Sequence, residues 1–257
     1  MAIKKTKKLS AQTVTTSVGA GEKFAKVDAN GKVTLIDLGS LKNSLLGGLN
    51  LNCMMDGVFI MTHRKLDDLP QAIKPHLWPA LQSKGETADG VALMEGGKIL
   101  VVAPTDASLP WSSADVVGGG VATADREIAI NDWNGKANTA SIVAASTSTA
   151  VTNTNAYAAG FCNLYARQNA NGHGMTAGKW WLPSVGELMM INANLNKLNY
   201  CLSLIAGATQ INGGGYWTST ETNSSMAWCL YVGDGGLTSW TPKISLGTVR
   251  PVSTFIR

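Results

Sequence analysis

The chain has 257 residues, 45% of them hydrophobic and 15% charged, with a formal net charge of +4. That length holds one large domain, or a domain of about 150–200 residues with an appendage, and a charged fraction below the ~25% usual for soluble domains leaves Ser, Thr and Asn to supply the polar surface. Lys4, Lys5, Lys7 and Lys8 account for the whole net charge, so the body has no net field to draw phosphate, which argues against nucleic acid as a partner.

After those lysines, residues 11–20 are Gln, Thr, Val, Ser, Gly and Ala rather than the apolar core of a secretory signal. No run of about 18 apolar residues occurs, so neither export nor membrane insertion is expected. Residues 25–36 read as strand, Asn30-Gly31 turn, strand, the strongest short hairpin signal. Leu38, Leu41, Leu45, Leu46 and Leu49 follow at helix-compatible spacing, broken by Gly47-Gly48. A hairpin with such a segment buries too little to stand alone. Residues 1–55 are therefore expected to be an attachment or oligomerisation segment, with the ligand-binding domain in residues 56–257.

Strands are expected at Asp56 to Thr62 and Lys98 to Ala103, short β-rich runs bounded by breakers. Pro70 to Pro79 reads as loop or short helix, and Trp111 to Ile130 as strand and loop. From Ala137 to Ala166 there is no Asp, Glu, Lys or Arg. Within that stretch Ser141 to Asn155 alone could be a flexible linker. In Ala156 to Arg167, Tyr157, Phe161, Leu164 and Tyr165 share one helical face, expected to pack in a core.

Ser184 with Glu187 three residues on forms a capping box. Leu188, Ile191, Leu195, Leu198 and Leu202 then give one apolar stripe. Past Gln210 the pattern is short strands: one from Tyr216-Trp217, one from Met226 to Val232 with alternating faces, a reversal at Gly233 to Gly236, and a last strand from Thr248 to Phe255 in which Pro251 implies an edge or a bulge. The layout is α+β.

Catalytic chemistry is sparse. Of His63, His76 and His173, only His173 sits in an open loop motif, Asn171-Gly172-His173-Gly174, and no GxSxG elbow offers it a nucleophile. Gly118-Gly119-Gly120 and Gly213-Gly214-Gly215 lack the strand-then-helix setting that cradles a pyrophosphate. Cys53, Cys162, Cys201 and Cys229 form no CxxC pair and no metal-ligand spacing, so free buried thiols are expected, and no enzyme activity, metal or cofactor.

One set of segments carries more. Trp180-Trp181-Leu182-Pro183-Ser184, Gly186-Glu187-Leu188, the run Gly215-Tyr216-Trp217-Thr218-Ser219-Thr220-Glu221, Ala227-Trp228, Lys243 and Val249-Arg250-Pro251-Val252 occur in this order. Together they resemble the C-type-lectin-like fold, and more narrowly the variable proteins of diversity-generating retroelements and the related Fibrobacter-paralogue-type surface domains, over roughly residues 90 to 257. The resemblance implies a C-type-lectin-like domain, two helices bracing a small, irregular antiparallel sheet, behind a small N-terminal β-rich adapter. It also implies that Trp228, Arg250 and Val252 are constant framework, and that ligand meets Thr222, Asn223, Ser224, Ser225, Tyr231, Asp234, Leu237, Ser239 and Trp240. Tyr and Trp there supply rigid contact area, while Ser, Asn and Gly supply adaptable hydrogen bonds.

The calcium-binding Glu-Pro-Asn, Gln-Pro-Asp and Trp-Asn-Asp triplets of sugar-binding lectins are absent, so no lectin-type calcium site is expected. The implied function is receptor binding at a phage or prophage tail-fibre tip: an adhesin for a bacterial surface ligand, protein or glycan, joined to other tail-fibre proteins through its N-terminal segment. The same reading makes it a homotrimer in a virion assembled in the host cytoplasm. A cell-surface adhesion module of the same fold is the alternative. A formylglycine-generating-type oxidase is a lesser one, since that family uses a cysteine pair and Cys229 stands alone near the C-terminus.

Overall fold

A computed structural model describes residues 23–27, 30–37, 56–145, 151 and 153–254. The chain divides into two compact units, Met1–Met54 and Met55–Arg257. In the first, β1 (Lys23–Val27) and β2 (Val33–Asp37) pair antiparallel with Val27 opposite Val33. Gly31 has φ 77°, the left-handed conformation that makes Asn-Gly a turn signal. The leucine-bearing segment at 38–49 and Cys53 lie outside the described residues.

The second unit is α+β, built on two five-stranded sheets. The chain begins with β3 (Gly57–His63) and β4 (Pro70–Ile73), then a 3₁₀ turn at Pro75–Leu77 leading into α1 (Trp78–Gln82). Next come β5 (Ala88–Glu95), β6 (Lys98–Val102) and β7 (Ala107–Pro110). Helices α2 (Arg126–Ile130), α3 (Gly135–Ala144) and α4 (Ala158–Leu164) precede a two-stranded ribbon of β8 (Arg167–Gln168) and β9 (Gly174–Met175). Helices α5 (Val185–Ala193) and α6 (Leu195–Ser203) lead to β10 (Gly214–Glu221), β11 (Met226–Val232), β12 (Gly236–Pro242), β13 (Leu246–Val249) and β14 (Val252–Ser253).

The first sheet runs β14-β6-β5-β3-β4, antiparallel throughout; the second runs β12-β11-β10-β13-β7, with β10 and β13 parallel. The chain end joins them. The expected last strand is two strands, β13 inside the second sheet and β14 at the edge of the first, and Pro251 sits at the crossing because its missing N–H cannot extend a ladder. Val252 exchanges backbone hydrogen bonds with Trp181 at 2.8 and 2.9 Å, tying the Trp-Trp-Leu-Pro segment to the chain end.

One apolar core lies between the first sheet, α5, α6 and one face of β10–β11, including Trp78, Val91, Val102, Leu188, Ile191, Leu198, Leu230 and Val252. Another lies on the other side of β10–β11, around Trp111, Ile142, Ala158, Cys162, Leu182, Trp217 and Cys229. The expected helix after Tyr157 forms as α4, but the face it buries is Ala158, Ala159 and Cys162, while Leu164 is exposed. Small residues let the helix approach the core closely; its aromatics instead build a side cluster in which Phe161 meets Tyr165, and Tyr165 meets Trp180 edge-on at 5.0 Å.

The stripe from Leu188 to Leu202 is broken at Asn194, whose φ of −110° and ψ of 15° separate α5 from α6. Residues 135–144, expected in part as linker, are helix α3. The segment 111–130 ends in α2, whose N-terminus Asp125 caps by accepting from the backbone N–H of Glu127 at 2.8 Å.

Candidate functional site

The Tyr-Trp-Thr-Ser-Thr-Glu run is β10, and from Tyr216 to Glu221 every side chain in it is buried. Three indoles pin the loops around it. Trp111 donates to the Thr218 carbonyl at 2.9 Å, Trp217 to that of Leu109 at 3.0 Å, and Trp228 to that of Thr123 at 2.8 Å. Thr220 Oγ1 donates to Asp132 Oδ2 at 2.7 Å, and Asn138 Nδ2 donates to the same oxygen at 2.8 Å. These bonds satisfy a carboxylate that is only 3% exposed, linking α3 to the sheet.

Glu221 and Lys243 form a fully buried ion pair at 2.5 Å. Lys243 Nζ also donates to the Val116 carbonyl at 2.7 Å and lies 4.2 Å from the centroid of the Trp111 ring, while both Glu221 oxygens accept from the Gly118 N–H. The pair clamps the 111–121 loop to the second sheet. Burial pulls the Lys243 ammonium below its usual range, and the Glu221 partner opposes that shift. Arg250, 1% exposed, donates to the Ala103 and Thr209 carbonyls at 2.9 and 3.0 Å and to Asp106 at 2.8 Å. With Trp228 at 3% exposure and Val252 fully buried, the three residues the resemblance assigns to framework are all interior.

On α5, Glu187 Oε2 accepts the Ser184 N–H at 2.9 Å, the returning half of the capping box, and also the Trp181 indole N–H at 3.1 Å. Burial pushes this carboxyl up to about 7, against the hydrogen bonds from Ser184 and Trp181 that hold it down. A second buried acid, Asp89, is also raised by burial and bonds His63 Nδ1 at 2.7 Å. His173 lies in the β8–β9 loop with Nδ1 3.2 Å from the Arg64 carbonyl. Cys162, Cys201 and Cys229 are free and buried; burial pushes the Cys201 and Cys229 thiols up to about 11 and that of Cys162 well above its usual value. Among the described residues no group of three or more His, Cys, Asp or Glu is placed to hold a metal, and no helix is long and apolar enough to cross a membrane.

The nine expected ligand residues fall into three places. Thr222, Asn223, Ser224 and Ser225 form the β10–β11 turn; Tyr231 and Asp234 lie at the opposite end of β11; Leu237, Ser239 and Trp240 lie along β12. A seven-residue strand separates the two ends by about 20 Å. At the first end Asn223 and Ser224 are exposed, but Asn223 Oδ1 accepts from the Ser225 N–H, the Ser225 hydroxyl and the Met226 N–H at 2.9, 3.0 and 3.0 Å, so its carboxamide oxygen builds the turn. The same end carries solvent-exposed Val117, Ile244 and Leu246, which periodicity does not reveal because they stand in or beside turns.

At the other end Tyr231 is 43% exposed, the one outward side chain of a strand whose Ala227 to Leu230 are buried. Asp234 is exposed and its Oδ1 accepts the Gly236 N–H at 2.9 Å. Gly233 donates to Asn192 Oδ1 at 2.8 Å and reaches the wall of a cleft of about 300 Å³ lined by Asn192, Asn194, Asn196 and Lys197. Those asparagines lie at the α5–α6 break; the sequence signal that marks them is the Asn-x-Asn-x-Asn run itself, which the apolar stripe overshadows.

On β12, Leu237 is half-buried and packs on the core. Ser239 and Trp240 fall where the β11–β12 register shifts, two steps from Ala227 to Cys229 facing three from Thr241 to Thr238. A bulge on an edge strand re-aims side chains and blunts the edge. Their side chains lie outside the described residues.

No family model and no curated protein matches the chain. A solved fimbrial protein from Bacteroides ovatus is similar at a TM-score of 0.45 and 14% identity, over 93% of this chain and 49% of its own. The chain thus spans about half the length of that protein.

Proposed function

We propose that residues 56–257 form a C-type-lectin-like ligand-binding module, a receptor-binding adhesin at a phage or prophage tail-fibre tip, with the Tyr231 end of β11 as the part that meets a bacterial surface ligand. The observation that carries the reading is Tyr231 itself, a large side chain held 43% exposed on a strand whose Ala227 to Leu230 are buried, at the end of β11 that also presents exposed Asp234. A rigid aromatic near an exposed polar turn is the residue mix of a recognition surface. The order of Trp-Trp-Leu-Pro, Tyr-Trp-Thr-Ser-Thr-Glu and Arg-Pro-Val segments, all buried as scaffold, supports the fold assignment. In this reading residues 1–55 join sister chains into a homotrimer and attach to other tail-fibre proteins; clustering raises apparent affinity by roughly 10²–10⁴-fold when geometry permits simultaneous contact. No catalytic step is assigned.

The test is binding of fluorescently labelled protein to a panel of bacterial strains. On a strain that binds, Tyr231→Ala should weaken attachment by about 30-fold or more, as for a contact of ~2 kcal/mol, with an unchanged far-UV spectrum. Attachment equal to the unsubstituted protein refutes the assignment of this end. Light scattering should return three chain masses; one chain mass removes the trimer.

A further inference from the structure

A different cleft, of about 270 Å³, opens between the start of β6, the start of α3 and α5, and shares no residue with the turns around β11. Trp133, Trp181, Lys98, Lys136 and Glu187 line it. Trp133 is 36% exposed, yet it is held: a Cβ on Gly186 would come within 2.9 Å of its ring, so glycine there lets the indole lie against the α5 backbone. Gly135 does the same for the carboxyl, since a Cβ would meet Glu187 Oε2 at 2.0 Å and Trp181 at 2.9 Å. Lys98 Nζ lies 4.1 Å from the Trp133 ring centroid and Lys136 Nζ 5.9 Å from that of Trp181. Among the described residues neither ammonium has a carboxylate at ion-pair distance.

Two cations held on indoles without an anionic partner are set to receive an anion from outside. The exposed indole adds a flat apolar platform, and the buried carboxyl a group able to take a hydroxyl hydrogen bond. A cleft somewhat under the ~300 Å³ at which drug-sized pockets begin has room for one ring, not a chain. We propose that this cleft binds a single carboxylate-bearing sugar, a uronate residue of an acidic glycan, with Lys98 and Lys136 taking the carboxylate, Trp133 the ring face and Glu187 a hydroxyl. A bare multivalent anion fits less well, because Glu187 would face it. The site stands independently of the Tyr231 assignment.

The experiment is a titration of the full chain, ¹⁵N-labelled at its tryptophan indoles, with glucuronate and galacturonate, and with glucose, galactose and acetate as comparators. The uronates should shift the Trp133 and Trp181 indole resonances at millimolar concentration, at least tenfold more tightly than the neutral sugars or acetate. Lys98→Gln with Lys136→Gln should weaken uronate binding about tenfold or more, while Tyr231→Ala leaves it unchanged. Both lysines are exposed, so the double variant should fold. Equal binding of neutral sugars overturns the carboxylate, equal binding of acetate overturns the sugar, and absence of any indole shift overturns the site.

Discussion

Lys243→Met tests whether the buried pair with Glu221 holds the second sheet to the 111–121 loop. With the ammonium gone, a carboxylate with no solvent exposure keeps, among the described residues, only the Gly118 N–H, and the Val116 carbonyl loses a donor as well. Breaking one side of a buried pair costs about 3–5 kcal/mol, and in a unit of this size that lowers Tm by about 6–20 °C at ~2–4 °C per kcal/mol. Glu221→Gln combined with Lys243→Met should recover most of the loss. The glutamine can still accept from Gly118, the methionine can still lie on the Trp111 ring, and neither leaves an ion in the interior. Urea unfolding at constant m value, arranged as a double-mutant cycle, measures the coupling. Lys243→Met within about 1 kcal/mol of the unsubstituted protein, or a double variant as unstable as the two single losses together, would refute the clamp.

Three further outcomes follow from the same geometry. Glu187 binds its proton more tightly folded, at about 7 against an ordinary 4.5, so its contribution is whole below pH ~4.5 and lost as pH rises through ~7. Relative to Glu187→Gln, which can keep the Ser184 bond, the unsubstituted protein should lose on the order of 3 kcal/mol across that interval, at ~1.4 kcal/mol per unit; parallel stability profiles for the two would contradict this. Asn223→Ala should destabilise by about 1–2 kcal/mol through three lost turn hydrogen bonds, whereas Tyr231→Ala should stay within roughly 0.5 kcal/mol, both read by urea unfolding. In Gly90→Ala the new methyl would lie 2.3 Å from the Val102 carbonyl of the paired strand, so a loss of at least ~2–3 kcal/mol is expected, while Gly214→Ala, with nothing within 4 Å, should be close to neutral by thermal melting.

Local signals decide structure where one residue type has one physical use. Asn30-Gly31, the Ser184–Glu187 box and the runs Asp56 to Thr62 and Lys98 to Ala103 all led to the elements that β1–β2, α5, β3 and β6 form. Signals failed where tertiary packing decided. Strand β5, the central partner of β3 and β6, reads Ala-Asp-Gly-Val-Ala-Leu-Met-Glu, mostly residues that favour helix, and takes strand form because both its faces are covered. For α4 the aromatic stripe pointed to the wrong buried face, since close approach rewards Ala158, Ala159 and Cys162 over bulk. The Asp132–Asn138–Thr220 network joins residues up to 88 positions apart, a distance at which no spacing rule operates.

The placement of the candidate residues has a physical consequence for what this sheet can display. On β11, Trp228, Leu230 and Val232 face one core and Ala227 and Cys229 the other, so no flat face is free for exchangeable side chains. Truncating a buried Trp or Leu there would cost about 2–5 kcal/mol, a large part of the 5–15 kcal/mol that holds a domain folded. Variation is therefore confined to strand ends and the bulged edge of β12. Within those ends Asn223 and Asp234 each use a side-chain oxygen to fix their own turn, which preorganises the loop but withdraws that oxygen from a ligand. The large side chain left facing outward at the second end is Tyr231, which shares the Cys229 face and lies over Gly215, whereas the asparagine cleft at Gly233 opens on the α5–α6 side, so a ligand that engages the ring lies against that face of the strand end rather than in the α5–α6 break.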